Sequence, residues 1–145
     1  MLQDVFSSPG DWGLLILRLA LAVTFLVHGR MKIRTAGLVK GAAGFAGWLK
    51  QMGVPLATFF AWVVITLETA GAVLLAFGLG TRILALGFVI DMFFAILLAK
   101  RRVMKARFMD DRVQGWEFEF ALMGASLALV FTGAGTLALD SMAGL

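Results

Sequence analysis

The sequence predicts an all-α integral membrane protein: a bundle of four transmembrane helices with a short interfacial helix between the first and the second. Three observations carry this reading. Hydrophobic residues make up 61% of the 145-residue chain and charged residues only 15%, where an ordinary soluble domain is roughly 45–50% apolar. Four apolar runs are long enough to cross a hydrocarbon core of roughly 30 Å, which takes about 20 helical residues. The basic residues, Arg18 and Arg82 excepted, all fall in or at the edge of two connections between those runs.

Taken in order, the runs are Trp12–Met31, Pro55–Gly78, Thr81–Ala99 and Glu117–Ala138, within a single domain spanning residues 1–145. The first is read as a retained helix rather than a cleaved signal. The residues before it carry Asp4 and Asp11 but no Lys or Arg, and Arg18 lies inside it. Pro55 suits the first turn of the second helix, where a missing N–H is no loss. Gly78-Leu79-Gly80-Thr81 forms a tight turn, with Thr81 placed to cap the third helix. Between the first two runs, Phe45, Trp48, Leu49 and Met52 recur at helical spacing beside Lys40 and Lys50. That pattern marks a short interfacial or re-entrant helix.

Orientation follows from the charges. The first connection holds Arg30, Lys32, Arg34, Lys40 and Lys50. The third holds Lys100, Arg101, Arg102, Lys105, Arg107 and Arg112. Positive loops stay on the cytoplasmic side, so both termini are expected outside a bacterial or archaeal cytoplasmic (inner) membrane. The same clustering reads the sequence pI of about 10.1 as topology rather than nucleic-acid binding. Cys is absent and His28 is the single histidine, which excludes thiol chemistry and argues against a bis-His haem or a metal centre.

Ionisable groups inside a bilayer are costly and normally find partners. Arg18 lies roughly 9 Å below the outer end of the first helix and Glu68 roughly 15 Å below the outer end of the second, at about 1.5 Å per residue. An Arg18–Glu68 pair, with Asp91 in reach, is therefore expected. Such a pair serves either function or helix register. A second cluster is expected at the inner end, from His28, Lys32 and Glu117. There Glu117 shares an inward face with the small residues Ala121, Gly124, Ala125 and Ala128, and Glu119 points away. Lys100, Arg101 and Arg102 read as a surface anchor or a docking site for partner subunits.

Several strings, in order along nearly the whole chain, resemble the DoxX family. They are Arg18-Leu19-Ala20 with His28-Gly29 and Lys32, then Gly44-Phe45-Ala46-Gly47-Trp48-Leu49 with Gly53-Val54-Pro55. Glu68, Gly71 and Gly78-Leu79-Gly80-Thr81-Arg82 follow, then Trp116-Glu117-Phe118, and Gly133-Ala134-Gly135 with Leu139-Asp140. The chain departs from the pattern at Ala134, where Pro is common, at Ala138, where Ser is common, at Asp91, and along Lys100–Arg112. The resemblance implies a four-helix membrane subunit of a quinone-linked oxidoreductase, such as the small subunit of a thiosulfate:quinone oxidoreductase, or an anchor for an oxidative-stress complex. On that reading quinone is the cofactor. His28 and Glu117 are the candidate catalytic groups, and Lys32 and Trp116 complete the substrate contacts. The partners are the lipid bilayer and other membrane or peripheral redox subunits, with a homo-oligomer also compatible. A non-catalytic structural subunit is the alternative. A small proton-coupled transporter using Glu68 or Asp91 ranks third, because no inverted repeat is visible.

Overall fold

The computed structural model describes residues 9–34 and 41–144; Asp4 and Lys40 lie outside the described residues. These residues are all-helical: α1 Pro9–Ile33, α2 Gly41–Gln51, α3 Ala57–Phe77, α4 Thr81–Val103, α5 Glu117–Thr132 and α6 Leu139–Ala143. Helices α1, α3 and α4 are each long and apolar enough to cross a membrane.

The last predicted run ends earlier than its hydropathy suggests. Helix α5 has 16 residues, about 24 Å at the helical rise. It stops because Gly133 and Gly135 adopt positive φ of 78° and 80°, which turns the chain into the short helix α6. Two capping expectations also change. Pro55 sits just ahead of α3, which begins at Ala57 after Leu56 in a left-handed conformation. Thr81 starts α4, but its side chain does not cap it.

Within a bilayer the outer faces meet lipid and the inner faces are held by close packing rather than by water exclusion. Accordingly Ile16, Val23 and Val27 of α1 and Ile83, Leu86 and Ile90 of α4 face outward at helical spacing. Leu21, Phe25, Leu75, Phe88, Met92 and Leu129 fill the centre. There the Phe25 and Phe88 rings stack with centres 3.9 Å apart. Gly87 of α4 admits the Leu67 side chain of α3; a Cβ at Gly87 would lie 3.1 Å from it. A second cluster joins α2 to α3 through Phe45, Leu49, Met52, Ala61 and Ile65. The expected short helix is thus an amphipathic cover on the end of the bundle that carries the basic loops. The opposite end carries the Gly78–Thr81 turn and α6.

Candidate functional site

At the basic-loop end, Lys32 of α1 forms an ion pair and hydrogen bond with Glu68 of α3, whose side chain is buried. Asp91 of α4 lies in hydrogen-bonding reach of Glu68 and within the field of Lys32. Its Oδ2 is buried and has no hydrogen-bond partner among the described residues. On the other side the Lys32 ammonium stands 5.3 Å from the centre of the Phe45 ring, a favourable place for a cation. The ammonium therefore pairs with one carboxyl, Glu68, and a second, Asp91, stands beside that pair, with an aromatic face on the other side.

Two local features build this contact. Gly29 lets α1 and α3 touch, since a Cβ there would lie 2.9 Å from the Glu68 carbonyl carbon. Glu68 itself sits in a π-helical turn, Leu67–Gly71, inside α3. Single π-turns inside α-helices are frequent at functional sites.

The expected Arg18–Glu68 pair does not form, and the direction of the side chains explains why. Side chains tilt toward the N-terminus of their own helix. Helices α1 and α3 are antiparallel, so Arg18 leans toward the terminal end and Glu68 toward the basic-loop end. Lys32, also on α1, leans back toward Glu68 and meets it. The depths were close enough for Arg18, but the directions diverge.

Arg18 instead donates to the Leu137 carbonyl and lies near the Asp140 carboxylate. Asp140, in α6, accepts from the Gly80 N–H at 2.6 Å and the Thr81 N–H at 2.8 Å, so it provides the N-terminal cap of α4 from a remote part of the chain. The Asp140 N–H in turn donates to the Gly78 carbonyl at 2.8 Å. Burial alone would raise the Asp140 pKa. The Thr81 and Gly80 N–H groups and Arg18 outweigh it and hold the group below the ordinary carboxylate value. Gly78 is required twice over: its φ is 67°, and a Cβ would overlap the Arg18 guanidinium.

The remaining predicted residues lie where α1, α4 and α5 meet the connection between α4 and α5. His28 is half-buried and meets the Phe118 ring edge-on at 6.0 Å. It stands one turn before Lys32, on the same side of α1. Trp116 packs edge-on against Phe108 and Phe120. Glu117 is half-buried, with a buried Oε2 that has no hydrogen-bond partner among the described residues, tucked against Gly115. Its carboxyl is not among the groups paired with Lys32. The small-residue stripe expected to turn inward is largely exposed at Ala121, Gly124 and Ala128; the buried face of α5 is Leu122, Ser126 and Leu129.

Lys100 departs furthest from the surface role expected for it. It is buried, bridges to Glu119 at 3.2 Å and donates to the Gln114 carbonyl and amide oxygens, both at 3.2 Å. Lys100 lies in a second π-helical stretch, Ala95–Val103, and Glu119, expected to point away, is its ion-pair partner. Arg101 and Arg102 are exposed as a docking surface requires. Further along, Arg112 and the N–H groups of Arg107 and Arg112 bind Asp110, which holds that carboxyl below its usual range.

Sequence reasoning missed Asp140, the Lys100–Glu119 bridge and both π-helical stretches. Only the first left a signal, as part of the Leu139-Asp140 string. Among the described residues no group of three or more His, Cys, Asp or Glu is arranged to hold a metal ion.

Comparison with known proteins places these residues in context. The DoxX family model matches residues 13–101, the stretch that holds Arg18, His28, Lys32, Glu68 and Asp91. A Bacillus subtilis (strain 168) protein named "Putative oxidoreductase CatD" is 35% identical over 128 residues, covering 88% of this chain and 84% of that protein. No solved structure matches.

Proposed function

This chain belongs to the DoxX family, and on that footing we propose that it is the membrane subunit of a quinone-linked oxidoreductase complex. In this reading the Lys32–Glu68–Asp91 cluster relays protons at the quinone site. One observation carries it: two carboxyls and one ammonium meet inside an apolar bundle, with Asp91 Oδ2 lacking a hydrogen-bond partner among the described residues. Intramembrane ionisable groups of this kind mark proton or substrate paths. The oxidoreductase name of the Bacillus subtilis relative supports the class.

The chemistry of the residues around this cluster supports such a ligand. A quinone accepts two electrons and two protons in its reduction to quinol, and the electrons must come from a partner subunit or a diffusible donor, since the chain has no Cys. On this reading Lys32 and His28, one turn apart on one side of α1, donate hydrogen bonds to a ring carbonyl. Glu68 and Asp91 can pass a proton between them, and Glu117 can supply one from the basic-loop end. Trp116 offers a flat apolar face.

The test is quinone-dependent electron transfer in the complex purified from native membranes. Glu68→Gln and Asp91→Asn should each lower turnover by about 10²–10⁴-fold, the usual share of a positioned acid or base, while the complex stays assembled. His28→Ala should weaken quinone binding. Full turnover in both carboxyl variants would end the proton-relay assignment.

Exposed Arg101 and Arg102 favour a docking role as well. Reversing both charges should release the partner subunit on purification. Retention of the partner would show that it docks elsewhere. The charge distribution further supports both termini outside a bacterial or archaeal cytoplasmic membrane. Because the chain has no Cys, Thr136→Cys should react with an impermeant maleimide on intact cells, and Arg102→Cys only after permeabilisation. The reverse pattern would invert the topology.

A further inference from the structure

Helix α2 has two faces with different neighbours. Phe45, Leu49 and Met52 are spent on the core, and Phe45 also lies beside Lys32. The exposed side, Ala43 and Gly47, with Ala42 and Ala46 at its border with the core, forms the floor of a groove of about 830 Å³ opening between α2 and the start of α3. Phe59 and Trp62 of α3 make its wall, and Lys50 stands at its rim. A side chain added at Gly47 would meet only open space. The volume falls within the roughly 300–1,000 Å³ of small-molecule sites.

We propose that this groove binds an anionic phospholipid, with an acyl chain laid over the Ala/Gly floor against Phe59 and Trp62 and the phosphate held by Lys50. Each part of the ligand has its counterpart. The floor is made of small residues, so a chain can lie close to the α2 backbone. The wall is aromatic, which a free inorganic anion would not use. The cation sits at the C-terminal end of the amphipathic helix, at the basic-loop end of the bundle. A long side chain there reaches the headgroup layer while its stem stays in apolar surroundings. A neutral isoprenoid molecule could fill the same walls but would gain nothing from the charge of Lys50.

The experiment uses the full chain in detergent, washed and then supplied with equal amounts of phosphatidylglycerol and phosphatidylcholine of matched acyl chains. Retained lipid is counted by native mass spectrometry. The wild-type chain should retain phosphatidylglycerol over phosphatidylcholine by about fivefold, the size expected of one Lys at an anionic surface. Lys50→Gln should abolish the preference and Lys50→Arg should keep it. Gly47→Phe, or Ala43→Phe on the same exposed floor, should lower retention of both lipids without changing the melting temperature. An unchanged preference in Lys50→Gln, or undiminished retention in a groove-filled variant that is folded, would overturn the proposal. So would recovery of an isoprenoid quinone in place of phospholipid, lost on filling the groove.

Discussion

Gly29 is the point at which the cluster and the fold depend on one another, and a single methyl group tests both. In Gly29→Ala the new Cβ would lie 2.8 Å from Thr69 Cγ2 and 2.9 Å from both the carbonyl carbon and Cβ of Glu68. The first contact belongs to a side chain, which can move. The other two belong to the backbone and root of Glu68, which cannot move without the helix. Helices α1 and α3 must therefore separate by several tenths of an ångström. Overpacking of this kind costs about 1–3 kcal/mol, and the Lys32–Glu68 pair one turn away is stretched with it. If Lys32 fails to follow, the loss approaches the roughly 3–5 kcal/mol of a buried charge left without its partner. At about 2–4 °C per kcal/mol for a chain of this size, the melting temperature should fall by roughly 2–12 °C if Lys32 follows Glu68 and by roughly 6–20 °C if it does not. The assay is the fraction remaining monodisperse on size exclusion after heating in mild detergent. Gly47→Ala and Gly124→Ala are the controls, since neither Cβ would meet anything within 4 Å. If Gly29→Ala melts with these controls, the close approach of α1 to α3 is not what holds Lys32 against Glu68.

Other expectations follow from the same contacts. Asp140→Asn keeps the shape of the α4 cap but drops its charge, and should cost about 0.5–2 kcal/mol, as loss of a helix cap does. Because the folded-state pKa of Asp140 is depressed, its stabilisation is fully present above the unfolded value of about 3.9 and is lost as pH falls through the folded value. The wild-type melting temperature should therefore drop at low pH more steeply than that of Asp140→Asn. Lys100→Met should destabilise by about 3–5 kcal/mol by leaving Glu119 half-buried and unpaired, and adding Glu119→Leu should restore most of that loss. Arg101→Ala, next to it and exposed, should stay within about 0.5 kcal/mol; equal effects at the two positions would remove the Lys100–Glu119 bridge from the account.

Much of this architecture was readable in advance because its cause is local. A run such as Ala57–Phe77 declares itself by apolar length, and α2 by the spacing of Phe45, Trp48, Leu49 and Met52. The end of α5 was also local, since Gly133 and Gly135 stand at the turn, but hydropathy continues through them to Ala138 and outvoted the glycines. The ion pairs were harder. Depth along the helices allowed Arg18 to meet Glu68, and only the opposed tilt of side chains on antiparallel helices sends them to different partners. Lys100 looks like its neighbours Arg101 and Arg102, because a run of three basic residues gives no hint of which one a π-helical turn rotates into the protein. Asp140 could not be assigned as a cap from spacing, because the amides it binds are 59 and 60 residues away.

The Arg18–Leu137 bond, which spans 119 positions, has a consequence for synthesis. Arg18 enters the membrane with the first helix, while its carbonyl partner is still untranslated and the start of α4 has no carboxylate to cover its amides. Until the ribosome has delivered Leu137 and Asp140, the nascent bundle carries a cation without its carbonyl partner and a helix end without its carboxylate. Delivery of the Leu137–Asp140 segment and closure of the bundle thus become one late event. A product cut short before Leu137 would insert its helices yet keep an uncovered guanidinium among them.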